Sequence, residues 1–127
     1  MNVLDSSGWI ELFTDSPNAD QFAPVVEDLT TLIVPSITLF EVFKWFEANL
    51  NEHDALQAVA HMGQGQVIDL DSNLAVSGAH VSLLLDLPMA DSIILATARL
   101  YQATLWTQDS DFDGLEGVNY IEKKTRS

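Results

Sequence analysis

Hydrophobic residues along the chain occur in short apolar runs that alternate with longer segments of helical periodicity. The short runs, bounded by turn-forming residues, predict strands at Val3–Leu4, Thr31–Val34, Val67–Leu70, Thr104–Thr107 and Val118–Ile121. The periodic segments predict helices that begin at Ser6, Ser16–Pro17, Pro35–Ser36, Asn51–Glu52, Asp71–Ser72 and Pro88. Pro24 is expected to break or kink the second helix. Short buried strands separated by helices predict an α/β fold with a parallel sheet and helices on both of its faces.

Length and composition fit a single globular domain that spans residues 1–127. Apolar residues make up 47% of the chain, which argues for a hydrophobic core and against disorder. The absence of cysteine excludes disulfides and thiolate zinc sites. The N-terminal sequence does not resemble a signal peptide, and no apolar stretch approaches the ~20 residues of a membrane span. We therefore expect a cytoplasmic protein that does not associate with membranes.

The charge of the chain is strongly negative, because 5 basic residues against 19 acidic ones give a net charge of −14. Tight binding to nucleic acid depends on Lys and Arg residues that neutralise phosphates, so this balance argues against it, and no direct DNA binding is expected. The balance favours bound cations or a basic partner. Any function that involves RNA has to account for this charge.

Two aspartates are predicted at the carboxyl ends of strands. Asp5 follows the first strand and precedes a helix, and Asp109 follows the strand that ends at Thr107. The carboxyl edge of a parallel sheet is where open α/β folds bind their ligands. Each residue also has a structural alternative: Asp5 is a suitable helix N-cap, and Asp109 belongs to a turn-forming segment with Asp111 and Asp113. Asp111 is a further acid that could join such a site.

Two more acids lie within predicted helices. The helix that carries Asp91 is apolar on nearly every side, so it is predicted to be buried, and Asp91 shares an inward stripe with Leu95. The alternative role for Asp91 is that of an acid in a first helical turn, which the helix dipole favours. Glu41 lies opposite the main apolar face of its helix, where it could form the wall of a cleft with Trp45 or pair with Lys44 on the surface.

Together these carboxylates predict a metal site, because a lone buried charge is costly and basic partners are scarce. Two carboxylates ~4 Å apart repel by roughly 4 kcal/mol at an effective dielectric constant of 20, and a divalent cation removes this penalty. Oxygen ligands without cysteine or a histidine cluster suit Mg²⁺ or Mn²⁺ rather than Zn²⁺. His53, His61 and His80 are scattered over predicted helices, and no Ser-His-Asp or Cys-His set is indicated.

Four segments carry these acids and their surroundings: Val3–Trp9, Ser36–Val42, Leu87–Ala98 and Leu105–Phe112. In this order and spacing they resemble the PIN-domain ribonucleases, specifically the VapC-type toxins of bacterial toxin–antitoxin pairs. The resemblance covers essentially the whole chain. It implies a three-layer α/β/α fold with a central parallel sheet, RNA cleavage that depends on Mg²⁺ or Mn²⁺, homodimerisation, and inhibition by a cognate VapB-like antitoxin.

The resemblance also assigns roles to residues. It implies four catalytic and metal-binding acids and two supporting hydroxyls, namely Asp5, Glu41, Asp91 and Asp109 with Thr107 and Ser6. In this scheme Asp5 and Asp91, with Asp109, hold one ion, and Glu41 ligates a second ion or orients the water that attacks the phosphodiester.

Lys44 and Arg99 are the basic residues closest in sequence to members of this acidic set. They are candidates for contact with RNA phosphates, and the alternative is that both are solvated cations on helix surfaces.

Two other functions stay open. A non-catalytic PIN-like binding domain would share the fold without the activity, and an assay separates the two. A phosphoryl-accepting receiver-like module also uses Mg²⁺ and acids at strand ends, but it needs adjacent acids after the first strand and a Lys at the end of a late strand. Here Asp5 stands alone, and no Lys follows Thr107.

Overall fold

The computed structural model describes residues 1–125, which form a five-stranded sheet and six helices. The strands are β1 Asn2–Leu4, β2 Leu32–Pro35, β3 Gln66–Ile68, β4 Thr104–Thr107 and β5 Val118–Tyr120. The helices are α1 Ser6–Phe13, α2 Ala19–Glu27, α3 Ser36–Asn49, α4 Glu52–Met62, α5 Ser72–Leu85 and α6 Met89–Leu100. A 3₁₀ turn, Ser110–Phe112, follows β4. Every strand pair is parallel, in the spatial order β3-β2-β1-β4-β5.

Side chains of the sheet alternate between two hydrophobic cores, one on each face. Val3 of β1 packs in a core with residues of α5 and α6, whereas the next residue, Leu4, packs in a core with residues of α1 to α4. In β2, Ile33 shares the core of Val3, and its neighbours Leu32 and Val34 share that of Leu4. Helices therefore cover both faces, and the predicted three-layer α/β/α fold with a central parallel sheet is confirmed.

The second helix differs from the sequence-based prediction. α2 begins at Ala19 with Asn18 as its N-cap rather than at Ser16–Pro17. Pro24 was predicted to break or kink this helix; it lies inside α2, so the break is wrong and the kink stays a prediction. The Asn18 side chain makes no capping hydrogen bond: its Oδ1 accepts from Gln21 Nε2 at 3.3 Å, and its Nδ2 donates to Gln108 and to the Glu122 carbonyl.

α6 is buried from Ser92 to Ala98, where it contacts α5 and the sheet. Gly78 of α5 permits this close approach, since a Cβ there would lie 3.0 Å from Cγ1 of Ile93. Among the described residues no single helix is long and apolar enough to cross a membrane, whereas α5 and α6 pass that test only as a pair bent by 112°. The apolar composition of α6 follows from its place in the core.

The carboxyl ends of β1 and β4 border the point where the strand order reverses. From β1 the chain proceeds to β2 and β3 on one side of the sheet, and later to β4 and β5 on the other. Connections that leave in opposite directions open a crevice between the ends of these two strands. Asp5 and the segment after Thr107 lie at this crevice, because Leu4 pairs with Trp106 in parallel register.

Candidate active site

Asp5 is fixed at the end of β1 by both its backbone and its side chain. Its N–H donates to the Trp106 carbonyl at 2.9 Å. Asp5 is 3% exposed, and its Oδ2 accepts from the hydroxyls of Ser7 (2.7 Å) and Thr107 (2.9 Å) and from the Ser7 N–H (3.3 Å). Within the part of the chain that the structure describes, all three side-chain bonds reach Oδ2, which leaves Oδ1 for a further ligand. Asp5 is thus both the N-cap of α1 and an oriented carboxylate at the crevice.

Asp109 is linked to Asp5 through Thr107. The buried Thr107 hydroxyl donates to Asp5 and accepts from the Asp109 N–H, each at 2.9 Å. Asp109 Oδ1 accepts from the Asp111 N–H at 2.9 Å, so Asp109 also has the turn-capping role that the sequence allowed. Carboxylate oxygens of Asp91, Asp109 and Asp111 lie within 4.8 Å of one another. The loop after β4 and the first turn of α6 therefore bring three acids within reach of one ion.

Glu41 approaches the same crevice from α3, where its charge interacts with those of Asp5 and Asp109. Its Oε1 accepts from the Ser6 hydroxyl at 2.7 Å, which connects the first turn of α1 to α3. Lys44, the surface partner that the sequence allowed for Glu41, has its Nζ 5.8 Å from the centre of the Phe40 ring instead. The structure therefore places Glu41 beside Ser6, with its charge near those of Asp5 and Asp109, rather than in a surface pair with Lys44.

We call Asp5, Glu41, Asp91, Asp109 and Asp111 the acidic pit. Burial, together with the charges of the other four acids, raises the pKa of Asp91 from its usual 3.8 to about 7. Burial also raises the pKa of Asp5, despite its hydrogen bonds, and that of Glu41. Carboxylates shift one another in this way only when they are close together and poorly solvated. The pit therefore favours protonation or a bound cation.

The raised pKa values predict that the metal-free protein loses stability as the pH rises. A carboxyl group whose pKa is raised by folding binds more protons in the native state than in the unfolded state, so stability falls as the pH passes through that range. For Asp91 the range extends from 3.8 to about 7. We expect the melting temperature in EDTA to fall between about pH 5 and about pH 7, and Mg²⁺ to reduce the fall. A melting temperature that rises over this interval in EDTA would contradict a repulsive pit.

A second buried polar cluster, which sequence reasoning did not detect, adjoins the pit. Glu11 of α1 accepts hydrogen bonds from the Gln108 side chain (3.0 Å) and the Asn18 N–H (2.8 Å). Asn18 Nδ2 donates to Gln108 Oε1 (3.1 Å), and the Gln108 N–H donates to the Ser7 hydroxyl (3.3 Å), which in turn holds Asp5. Glu11 and Gln108 are 97 positions apart, so no local spacing could have revealed the cluster.

Ser7 is a second residue that the sequence prediction missed, although a signal for it was present. The sequence pointed to Ser6 as a supporting hydroxyl, and Ser6 does bond to Glu41. Asp5 itself is held by Ser7. An N-cap aspartate accepts from the second or third residue of its helix, and Ser7 is the second residue of α1.

Thr107→Val tests the hydroxyl that joins Asp5 to Asp109. Valine matches threonine in shape but can neither donate to Asp5 nor accept from the Asp109 N–H, so both carboxylates lose an orienting partner. We expect the affinity for Mn²⁺ to fall by about 10- to 100-fold in a calorimetric titration. Thr104→Val on the same strand is the control, because the Thr104 hydroxyl makes no hydrogen bond within residues 1–125. Equal affinities of the two variants would show that the Thr107 hydroxyl does not orient the ligands.

The two basic residues that the sequence suggested for phosphate contact have other partners in the structure. Arg99 is exposed and donates to the Glu116 carbonyl at 3.4 Å, and Lys44 lies over the Phe40 ring. The charges that shift the pKa of Asp91 all belong to carboxylates. A role for Lys44 and Arg99 in phosphate contact stays a prediction.

The fold is shared with solved structures from several bacteria. The chain is similar to a protein of a toxin–antitoxin complex from Klebsiella pneumoniae, at 24% identity and a TM-score of 0.82, over 97% of this chain and 100% of that chain. It is similar to VapC20 from Mycobacterium tuberculosis, described as a Sarcin-Ricin loop cleaving toxin, at 14% identity and a TM-score of 0.78, over 97% and 98% of the two chains. It is also similar to a protein of VapBC2 from Rickettsia felis, which is described as bound to a DNA fragment from their promoter. The identity is 16% and the TM-score is 0.73, over 95% of this chain and 97% of that chain.

These identities are low, so the structural likeness establishes the fold alone. No curated protein gives a significant match to the sequence. The family model described as the PIN domain, however, matches residues 3–118. Since this match spans nearly all of the sheet and every acid of the pit, the chain belongs to the PIN-domain family.

Proposed function

We propose that this chain is a metal-dependent endoribonuclease that acts in the cytoplasm as the VapC-type toxin of a toxin–antitoxin pair. The observation that carries the proposal is the acidic pit, in which five carboxylates from separate parts of the chain share one crevice. Membership of the PIN-domain family supports it. The similarity to a toxin–antitoxin complex and to a toxin described as cleaving the Sarcin-Ricin loop supports the toxin assignment.

The donor set of the pit fits Mg²⁺ or Mn²⁺. The candidate ligands are carboxylate oxygens, which are hard ligands of the kind that both ions prefer. Asp91, Asp109 and Asp111 offer oxygens within 4.8 Å of one another, and Asp5 offers Oδ1. In our proposal Asp5, Asp91 and Asp109 hold one ion, and Asp111 is an additional carboxylate at the rim.

The protein's own contribution to hydrolysis is orientation and proton transfer. A bound divalent ion would polarise the scissile phosphate and lower the pKa of a water molecule. Glu41, whose pKa is raised by burial, is suited to orient the attacking water and accept its proton. The hydrogen bond from Ser6 fixes the Glu41 carboxylate for this role, as those from Ser7 and Thr107 fix Asp5.

An antitoxin is the proposed protein partner, and an apolar groove on α3 and α4 is the proposed place of contact. The groove has a volume of about 740 Å³, and its apolar lining comprises Leu39, Phe40, Phe43, Ala48 and Val59. Phe40 is 64% exposed, whereas Phe46 on the same helix is 4% exposed and belongs to the core. Such a surface suits the apolar face of a partner segment. A basic side chain of the antitoxin would be attracted to the acidic pit.

A homodimer is the proposed assembly, with α5 and α6 at its interface. These helices carry exposed apolar side chains, namely Val76, Leu83, Leu84, Met89 and Leu100. Leu83 and Met89 line one groove and Val76 and Leu100 another, and exposed apolar surface of this kind favours association with another protein. The complex from Rickettsia felis is described as bound to promoter DNA. For the present chain, a net charge of −14 assigns any such contact with DNA to the antitoxin.

Incubation of the purified protein with total RNA tests the activity. We expect cleavage at defined positions with Mg²⁺ or Mn²⁺ and intact RNA with EDTA, with the cut ends mapped by sequencing. RNA that stays intact under both conditions would favour the non-catalytic binding domain.

Expression in a bacterial host tests the toxin assignment separately. We expect growth arrest on induction of the parent gene, and relief of the arrest when the product of the adjacent gene is expressed with it. Normal growth despite accumulation of a folded protein that cuts RNA in vitro would leave the nuclease proposal intact and overturn the toxin proposal.

A further inference from the structure

A groove of about 580 Å³ is lined by α1, by Trp45 of α3 and by the C-terminal segment. Its lining includes Ser7, whose hydroxyl donates to Asp5, and Gln108, whose N–H donates to Ser7, together with Trp45, Lys123 and Lys124. Its volume falls within the roughly 300–1,000 Å³ that is typical of ligand clefts. The groove therefore adjoins the pit through Ser7, and its charged lining residues are Lys123, Lys124 and the buried, hydrogen-bonded Glu11.

The C-terminal segment is held in this position by the buried polar cluster. The Ile121 N–H donates to the Thr107 carbonyl at 2.8 Å, which extends the pairing of β5 with β4. The buried Asn18 donates from Nδ2 to the Glu122 carbonyl at 3.0 Å. These bonds direct the next two residues, Lys123 and Lys124, to the groove, and both lysines are exposed. The position of the lysines thus depends in part on Asn18, whose side chain also donates to Gln108.

Trp45 forms another part of the wall. It lies one helical turn after Glu41 on α3, so both side chains are on the same side of that helix. The indole is half-buried and packs edge-on against the Phe46 ring, with the ring centres 5.0 Å apart. Trp45 therefore contributes an aromatic side chain to the same groove as the two lysines.

This groove contains basic residues, which are scarce in this chain. The chain has 5 basic residues, of which two lie in this groove, while Lys44 and Arg99 lie on other surfaces. An RNA strand that is cut at the pit continues beyond the scissile phosphodiester. The flanking phosphates of this strand interact with cations, and its bases stack on aromatic side chains. Ammonium groups and an indole beside the pit suit both interactions.

We propose that this groove binds the single-stranded RNA that flanks the scissile phosphodiester, with Lys123 and Lys124 at its phosphates and Trp45 stacked on a base. The proposal rests on the ribonuclease function proposed above and names the surface that binds its substrate. It also suggests how a chain with a net charge of −14 can hold RNA, because two of its 5 basic residues line a groove that adjoins Ser7, the residue that holds Asp5.

Binding of a fluorescein-labelled oligouridylate, with Ca²⁺ in place of Mg²⁺, tests the proposal over a range of KCl concentrations. Each phosphate contact to a single strand contributes about 0.7 to the salt slope, so we expect K123A/K124A to reduce the slope by about 1.4 and the affinity by roughly tenfold. Both lysines are exposed, so the fold is expected to survive their replacement. The pair K44A/R99A removes the same amount of charge at the two residues that the sequence suggested for phosphate contact, so it decides between the two assignments. If the groove binds the RNA, this pair should change the slope by less than half as much. Equal effects of the two pairs, or no effect of K123A/K124A, would overturn the groove assignment.

Tryptophan fluorescence reports on stacking. We expect the oligouridylate to quench the fluorescence of the parent and not that of Trp45→Phe, because Trp9 is buried and Trp106 is hydrogen-bonded to Asn2. Trp45→Leu should weaken binding by roughly 5- to 100-fold, and Trp45→Phe by much less, since phenylalanine retains a stacking face. Unchanged quenching in Trp45→Phe would contradict a stacked base. Oligoglutamate should compete poorly, and competition equal to that of unlabelled oligouridylate would identify an acidic-peptide site instead.

Cleavage kinetics with Mg²⁺ separate this proposal from the function on which it rests. If the parent cuts RNA, K123A/K124A should raise KM about tenfold and leave kcat within about twofold, because these lysines lie outside the pit. If the parent cleaves RNA and the double variant has an unchanged KM, only the proposal that the groove binds RNA would be overturned. Absence of cleavage by the parent would overturn the nuclease proposal, and the binding measurements would still decide whether the groove holds RNA.

Discussion

The Asp91→Asn protein is expected to cleave RNA at least about 10³-fold more slowly than the parent while it keeps the same fold. Asparagine has nearly the shape of aspartate but no negative charge, and Asp91 is the residue whose pKa responds to all four other acids of the pit. The loss corresponds to about 4 kcal/mol of activation free energy, as expected when a metal ligand is removed. Initial rates at saturating Mg²⁺, together with circular dichroism spectra of both proteins, provide the measurement.

Asp113→Asn is the matched control for this replacement. Asp113 is an exposed residue that follows the 3₁₀ turn. It is not among the three acids whose oxygens lie within 4.8 Å of one another, and it is not among the charges that raise the pKa of Asp91. The control changes the net charge by the same amount near the same crevice. We expect its activity to stay within about threefold of the parent, as for a typical surface substitution. Comparable losses in the two variants would mean that total charge, rather than a defined ligand set, controls the reaction.

The fold could be predicted from the sequence because its elements are encoded locally. The strand Thr104–Thr107 coincides with β4, and Asp71 and Asn51 cap α5 and α4 through their side chains as predicted. The start of α2 was missed, because the role of Asn18 depends on Gln108, which is 90 positions away. Local propensity at Ser16–Pro17 could not report that contact.

The candidate site could be predicted in part for a related reason. In a parallel sheet the ends of neighbouring strands meet at one edge, so the strand-end positions of Asp5 and Asp109 were sufficient to predict that they lie close together. Glu41 was the least certain from the sequence, since its surroundings on α3 also fit a surface pair with Lys44. The bond from Ser6 that fixes Glu41 connects residues 35 positions apart, and such contacts become visible only when the chain is folded.

The negative charge of the chain was the main objection from the sequence to a function on RNA. In the structure, two regions bear on this objection: the acidic pit and the groove that contains Lys123 and Lys124. The acids of the pit repel one another and RNA, and a divalent cation would relieve both repulsions. Lys123 and Lys124 stood outside the sequence-based site because they lie in the last residues of the chain, yet they line a groove beside it. The net charge was therefore a poor guide to the charge that a substrate would meet.

The same Asp91→Asn replacement should make the metal-free protein more stable than the metal-free parent at pH 8. Two explanations for Asp91 predict opposite signs. If it serves as a first-turn acid of α6, its loss removes about 0.3–1 kcal/mol of favourable interaction with the helix dipole. If repulsion and burial within the pit dominate, as its pKa of about 7 indicates, the loss stabilises the protein by at least about 1 kcal/mol, or roughly 4 °C in melting temperature.

In Mg²⁺ the parent should be more stable than the Asp91→Asn protein. A ligand at about 100 times its Kd stabilises the native state by about 2.7 kcal/mol, so the parent in Mg²⁺ should melt at a higher temperature than in EDTA, whereas Asp91→Asn should respond little. Asp5→Asn should behave like Asp91→Asn, and it excludes a capping effect, because asparagine caps a helix as well as aspartate does. Differential scanning calorimetry of the three proteins, each with EDTA and with Mg²⁺, gives the six melting temperatures. A parent that melts at the same temperature in both would show that the carboxylates do not form a metal site. A metal-free Asp91→Asn protein less stable than the parent would show that the helix-dipole role of Asp91 outweighs repulsion within the pit.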